Sequence, residues 1–198
     1  MGIKLSTGQV AEELAGLLET SSGRPTVTGE KILTLVATGL FKHVGSGKQV
    51  RVDRDDVVAL ASRTRYVADP AEIAELIFRV SVIETRPDPC HDLRGNLLRT
   101  MAGVDYSTPG SLGGIEGIWE ASLTTANRLV EEGGHLLGTC KGYVHPEHVR
   151  EIVQWGHVQD SPRRYFHTGP ASAKVHEVVG SGLWIDVPPG RESDILVG

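Results

Sequence analysis

The chain has 198 residues, of which 39% are hydrophobic and 23% charged, and its formal net charge is −5. That length allows one large domain or two small ones with a real core. No apolar run approaches the roughly 18 residues of a membrane span, and the start, MGIKLSTGQVAEEL, lacks the apolar centre of a signal peptide. Only two cysteines, Cys90 and Cys140, are present; the expectation is a cytoplasmic protein with no disulfide framework and no membrane partner.

Charge is unevenly placed. Residues 1–66 hold nine Lys/Arg against seven Asp/Glu, a net of +2, whereas residues 67–198 hold eleven against eighteen, a net of −7. Asp69-Pro70 reads as a helix start, and the chain beyond it is richer in Gly, Pro, His and Trp. The expected division is therefore 1–66 and 67–198.

In chain order, Ser6 and Gln9 have capping-box spacing, and Val10, Leu14, Leu17 and Leu18 share one face, which predicts a helix over 7–18. ETSSGRPT breaks it. Thr28 is placed to cap a second helix with Glu30 in its first turn, Ile32, Leu33 and Val36 as its apolar face and Gly39 as its left-handed end. LFKHV and QVRV flank Gly45-Ser46-Gly47 as a hairpin. Asp53 and Asp56 then open a third helix, RDDVVALASR.

These residues carry a resemblance. LSTGQVAEEL … VTGEKILTLVATGLFKHVGSGKQVRVDRDDVVALA resembles the winged helix-turn-helix of excisionases and of the mercury-resistance-regulator (MerR-like) superfamily over residues 5–62, most specifically from Gly39 to Leu60. The family's turn between its first two helices is short; here about nine residues, ETSSGRPTV, intervene. The resemblance implies double-stranded DNA as partner. Lys42, His43, Lys48 and Arg51 are the expected wing contacts, gaining by counterion release at phosphates. Thr28, Glu30, Lys31 and Thr34 on the second helix, with Arg24 and Thr26 nearby, are the expected groove-facing residues.

The rear two-thirds reads as a mixed α/β unit. AEIAELIFRVSVIE predicts a helix running into a strand, HDLRGNLLRTM a helix, and GGIEGIWEAS a strand. TTANRLVEEG predicts a helix capped by Thr124 or Thr125. HLLGTCKGYV, EHVREIVQWGHV and RRYFHT alternate like antiparallel strands, AKVHEVVG suits a short helix, and LWIDV a last strand. The expected fold class is α+β: a winged helix-turn-helix followed by a curved antiparallel sheet or small barrel. In element order this part resembles PUA-like domains of the EVE and ASCH type, the run GIWEASLTTANRLVEEGGHLLGTCKGYV followed by REIVQW and RRYFHT carrying the likeness. That implies a pocket for a modified or flipped base, with Trp119, Tyr143, Trp155, Phe166 and Trp184 as its aromatics.

Catalytic motifs are discounted. His145-Pro-Glu-His148 with Cys140 lacks the paired ligand spacing of a zinc site. Cys90-His91-Asp92 are sequence neighbours, whereas a triad is assembled from distant positions. Neither G-x-x-x-x-G-K-[ST] nor G-x-G-x-x-G occurs. The expectation is a DNA-binding protein, not an enzyme, with no cofactor or metal, whose second part recognises a modified base, a small-molecule ligand or a second copy of the chain. The alternative is a ligand-responsive transcription regulator with a small-molecule pocket in that part.

Overall fold

The computed structural model describes residues 2–45, 49–108, 117–187 and 193–197. The N-terminal elements follow their local signals. Strand β1 (Lys4–Ser6) leads into helix α1 (Thr7–Leu17), whose capping box is complete: Gln9 N donates to Ser6 Oγ at 3.4 Å and Ser6 N to Gln9 Oε1 at 2.9 Å. Thr28 caps α2 (Gly29–Ala37), accepting from Lys31 N at 3.3 Å. The helix stops at Gly39 for two reasons. Its φ of +77° is the left-handed C-cap conformation, and a Cβ there would lie 2.9 Å from that of Ser107.

The chain then turns back through Phe41, and Val44 N donates to Arg51 O at 2.9 Å. Strand β2 (Arg51–Asp53) pairs antiparallel with β1, Leu5 opposite Val52, while His43 bridges Val52 on the other side. Helix α3 (Arg54–Ser62) starts from Asp53, which accepts from Asp55 N at 3.1 Å. The order helix, helix, hairpin, helix is the one the sequence predicts. The hairpin tip, with Lys48, lies outside the described residues.

Strand β3 (Arg65–Val67) spans the division expected at residue 66, and pairs parallel with β12 (Leu183–Ile185), which also pairs antiparallel with β9 (Tyr143–Val144). One hydrophobic core crosses the same point: Val10, Leu14, Ile32, Leu35 and Phe41 belong to one cluster with Phe78, Leu136 and Trp184.

The main sheet has six strands in the order β13 (Ser193–Val197), β4 (Leu76–Ser81), β8 (His135–Thr139), β10 (Val149–His157), β11 (Arg164–Pro170) and β7 (Ile118–Trp119). It is nearly closed, Ser193 Oγ at one edge donating to Glu120 O beyond the other at 3.4 Å. The structure is thus α+β, with five α-helices among the described residues. β4 pairs parallel with β8, so the sheet is mixed rather than antiparallel. A parallel pair needs a long crossover, and the residues between these strands supply it. β4 is correspondingly buried on both faces: Phe78 and Val80 enter the first core, and Ile77 enters a second with Leu137, Val175 and Val179 from helix α5 (Ala173–Val179).

Four expectations are corrected. HDLRGNLLRTM is not a helix: β5 (Arg86–His91) and β6 (Leu97–Ala102) form a hairpin around it. Asp92 Oδ1 accepts from Arg94 N at 2.8 Å and Asn96 N at 2.9 Å, an Asx turn that competes with helix formation. Leu93 and Leu97, at helical spacing, are exposed. AEIAEL yields a single 3₁₀ turn at Pro70–Glu72 before β4. Helix α4 (Leu123–Glu131) is capped by Ser122, not by Thr124 or Thr125. LWIDV is not the last strand, since β13 follows it.

Candidate functional site

Three of the expected DNA contacts lie on the two arms of the first hairpin, and Gly45 brings His43 and Arg51 together. Lys42 and His43 are exposed, and Arg51 is half-buried with Nη2 donating to Gln49 Oε1 at 2.9 Å. Gly45 sits between the last two: a Cβ there would lie 3.1 Å from His43 Nε2 and 3.6 Å from Arg51 Cγ. Asp55 and Asp56 occupy the first turn of α3, where they complement the helix dipole.

The other expected contacts are dispersed. Arg24 pairs with Glu12 at 2.6 Å, on α1. Thr28 is exposed but holds the cap of α2, and Thr34 is half-buried with Oγ1 donating to Glu30 O at 3.5 Å. Lys31 faces the second part of the chain: Nζ donates to Thr26 O at 2.5 Å and lies 5.9 Å from the centroid of the Trp184 ring. Burial lowers its amine's pKa, opposed by Asp186. The exposed stripe of α2 is Glu30, Leu33 and Ala37. Leu33 reads as core in the sequence because it lies beside Ile32; only the neighbouring helices decide which one is covered.

The five aromatics separate as well. Trp184, Tyr143 and Phe166 are 0%, 1% and 2% exposed and belong to the core, Phe166 packing on Phe78 with centroids 5.2 Å apart. Trp155 is half-buried, donating from Nε1 to Asn127 Oδ1 on α4 at 3.0 Å, with the Arg164 guanidinium 5.5 Å from its ring centroid. Trp119 lines a cavity.

That cavity has a volume of about 370 Å³ and lies between the two edges of the main sheet, beside the β5–β6 hairpin. Its polar side chains include Arg86, Arg99, Arg163 and Glu120. Arg99 is ion-paired with Asp88, yet its Nε is buried without a hydrogen-bond partner among the described residues, as is Trp119 Nε1. Arg86 and Arg163 have no carboxylate within ion-pair distance among the described residues. The hairpin approaches closely because Gly103, at φ +86°, passes against the carbonyls of Ile83 and Glu84, where any Cβ would overlap them. Sequence reasoning missed this site. Its arginines are single residues in polar stretches, and only the folding of β5–β6 over the sheet edge gathers them.

Cys140 and His148 are both shielded by burial. Burial pushes the Cys140 thiol up to about 11, with Thr38 Oγ1 at 3.6 Å from its sulfur, so it is not a thiolate at neutral pH. The Asp92 carboxylate is committed to its own turn. His148 is fully buried with its Nδ1 3.4 Å from Tyr106 OH, and burial followed by the neighbouring His145 brings its pKa down to about 3. No group of three or more His, Cys, Asp or Glu among the described residues is arranged to hold a metal. No helix among them is long and apolar enough to cross a membrane.

No protein-family model, curated protein or solved structure matches this chain.

Proposed function

We propose that the chain is a double-stranded-DNA-binding protein of the cytoplasm. In this reading residues 1–66 work as a winged helix-turn-helix and the remainder recognises a modified base or another feature of the nucleic acid. One observation carries it: exposed Lys42 and His43 and half-buried Arg51 lie on the two arms of a hairpin that follows α2 after Gly39 and is held by the β1–β2 ladder. Cations so placed release condensed counterions on meeting phosphates. The hairpin would supply sequence-independent anchoring, and the Glu30–Leu33–Ala37 stripe of α2 would meet base edges and thymine methyl groups.

The test is duplex binding across a salt series. Arg51→Ala is expected to weaken binding to all sequences and to reduce the slope of log affinity against log salt by about one. Equal slopes for wild type and variant, or no binding at modest salt, would remove the hairpin from the interface. A pull-down of native genomic fragments beside an enzymatically amplified copy separates the readings of the second part: retention of native fragments alone indicates a modified base.

A second reading, a transcription regulator responsive to a small molecule, is favoured by the cavity beside β5–β6, which shares no residue with the hairpin edge. It expects equal enrichment of particular fragments from both DNA pools.

A further inference from the structure

We infer that the cavity beside the β5–β6 hairpin binds a phosphate monoester carried on an amino-bearing planar ring, a ligand the size of a nucleoside monophosphate. The inference does not depend on duplex binding by the first hairpin.

The chemistry follows from the walls. Arg86 enters from the start of β5, Arg99 from β6 and Arg163 from the segment before β11, and Asp88 neutralises only Arg99. Two guanidiniums without carboxylate partners suit a doubly charged group better than a single carboxylate, and their planar forks match phosphate oxygens.

A second part of the lining, formed by β7 next to Arg163, adds an aromatic ring and an acid. Trp119 supplies an aromatic surface, and the Glu120 carboxylate beside it is an acceptor with no ion-pair partner among the described residues. A planar ring stacks on the first and an exocyclic amino group donates to the second. Glu120 also repels the phosphate, which orders the ligand: phosphate towards Arg86 and Arg99 on the β5–β6 hairpin, amino group at Glu120, and Arg163 bordering both. The volume of about 370 Å³ is at the lower end of small-molecule sites, adequate for one nucleotide. The buried Nε of Arg99 and Nε1 of Trp119 have no hydrogen-bond partner among the described residues, and buried donors without partners are rare in folded proteins.

The experiment is calorimetric titration of the full chain, without DNA, with AMP, CMP, UMP, IMP, adenosine and inorganic phosphate. AMP or CMP is expected to bind at least about tenfold tighter than adenosine or phosphate, and tighter than UMP and IMP, which lack the amino group. Arg86→Ala and Arg163→Ala, at exposed and half-exposed positions, are each expected to weaken that binding about tenfold while leaving the thermal midpoint unchanged. Glu120→Gln is expected to narrow the preference over UMP and IMP. A 5′-phosphorylated hexanucleotide that binds tighter than AMP, with the same loss in both arginine variants, would assign the site to a strand end instead of a free nucleotide. Absence of heat with all the nucleotides, equal binding of AMP and adenosine, or unaltered affinity in both arginine variants would overturn the inference. Failure of the duplex titration with intact AMP binding would fall on the hairpin reading alone.

Discussion

Two groups of cations sit on this molecule, and they are built differently. Lys42, His43 and Arg51 lie on the two arms of a short hairpin, whereas Arg86, Arg99 and Arg163 surround a hollow beside another. Exposed charges act through a high dielectric and are screened over about 10 Å at 0.1 M salt, so they suit a long charged surface and confer little selectivity. Charges that converge on a hollow act at closer quarters, where shape and the direction of each donor decide what binds. Net charge conceals both: the chain is acidic overall, and each group is a local departure from that average.

The largest expected effect tests whether the two groups ride on one body. Trp184 is wholly buried, belongs to the core that spans both parts, and lies beneath Lys31 of α2. Trp184→Ala is expected to destabilise the chain by about 3–5 kcal/mol. Helical circular dichroism and the fluorescence of the remaining tryptophans should shift to the same lower denaturant midpoint. Separate midpoints for the two signals would show that the parts unfold independently.

A smaller effect should divide the two groups. Gly103→Ala meets both the left-handed φ and the carbonyls of Ile83 and Glu84, an expected loss of about 2 kcal/mol. Because it displaces the β5–β6 hairpin, AMP binding should fall while duplex binding persists. Equal loss of both, in protein that remains folded, would contradict their separation.

The smallest concerns the seam between the parts, where Tyr106 N donates to Thr38 O at 2.8 Å and the Tyr106 ring packs on His145 and His148. His148 is neutral in the folded chain down to about pH 3, but in the unfolded chain it protonates near its ordinary pKa. Between those values the unfolded state binds the extra proton, so stability is complete above pH 6.5 and falls as pH is lowered. By pH 5 the loss from this group is about 1–2 kcal/mol. Denaturation midpoints of wild type and His148→Gln across pH 5–7 check this; parallel profiles would assign the acid sensitivity elsewhere.

The legibility of the site tracks the range of the interactions that build it. The hairpin edge was readable because Lys42, His43 and Arg51 are within ten residues and a turn signal lies between them. The cavity was not, because its arginines are brought together by a hairpin that the sequence presents as a helix. Leu93, Leu97 and Leu98 have helical spacing, yet the turn at Asp92 is satisfied by its own side chain and β5 gains a strand partner in β6. Tyr143, Phe166 and Trp184 lie in the core for a related reason. An apolar ring gains about the same burial energy in any core, so its type alone does not report whether it faces a cavity or another ring.

The sequence by itself determined the local stops and starts: the Ser6–Gln9 capping box, the caps at Thr28 and Asp53, and the reversal at Gly39. In each the hydrogen bond or steric preference is made between residues at most four apart, so the information is present before the chain folds. Only the tertiary structure decided the parallel pairing of β4 with β8 and of β3 with β12, the burial of Trp184 against Lys31, and the meeting of Arg86, Arg99 and Arg163 beside Trp119. Those arrangements depend on partners many tens of residues away, and which partner wins is set by the packing of the whole core rather than by any segment's own preference.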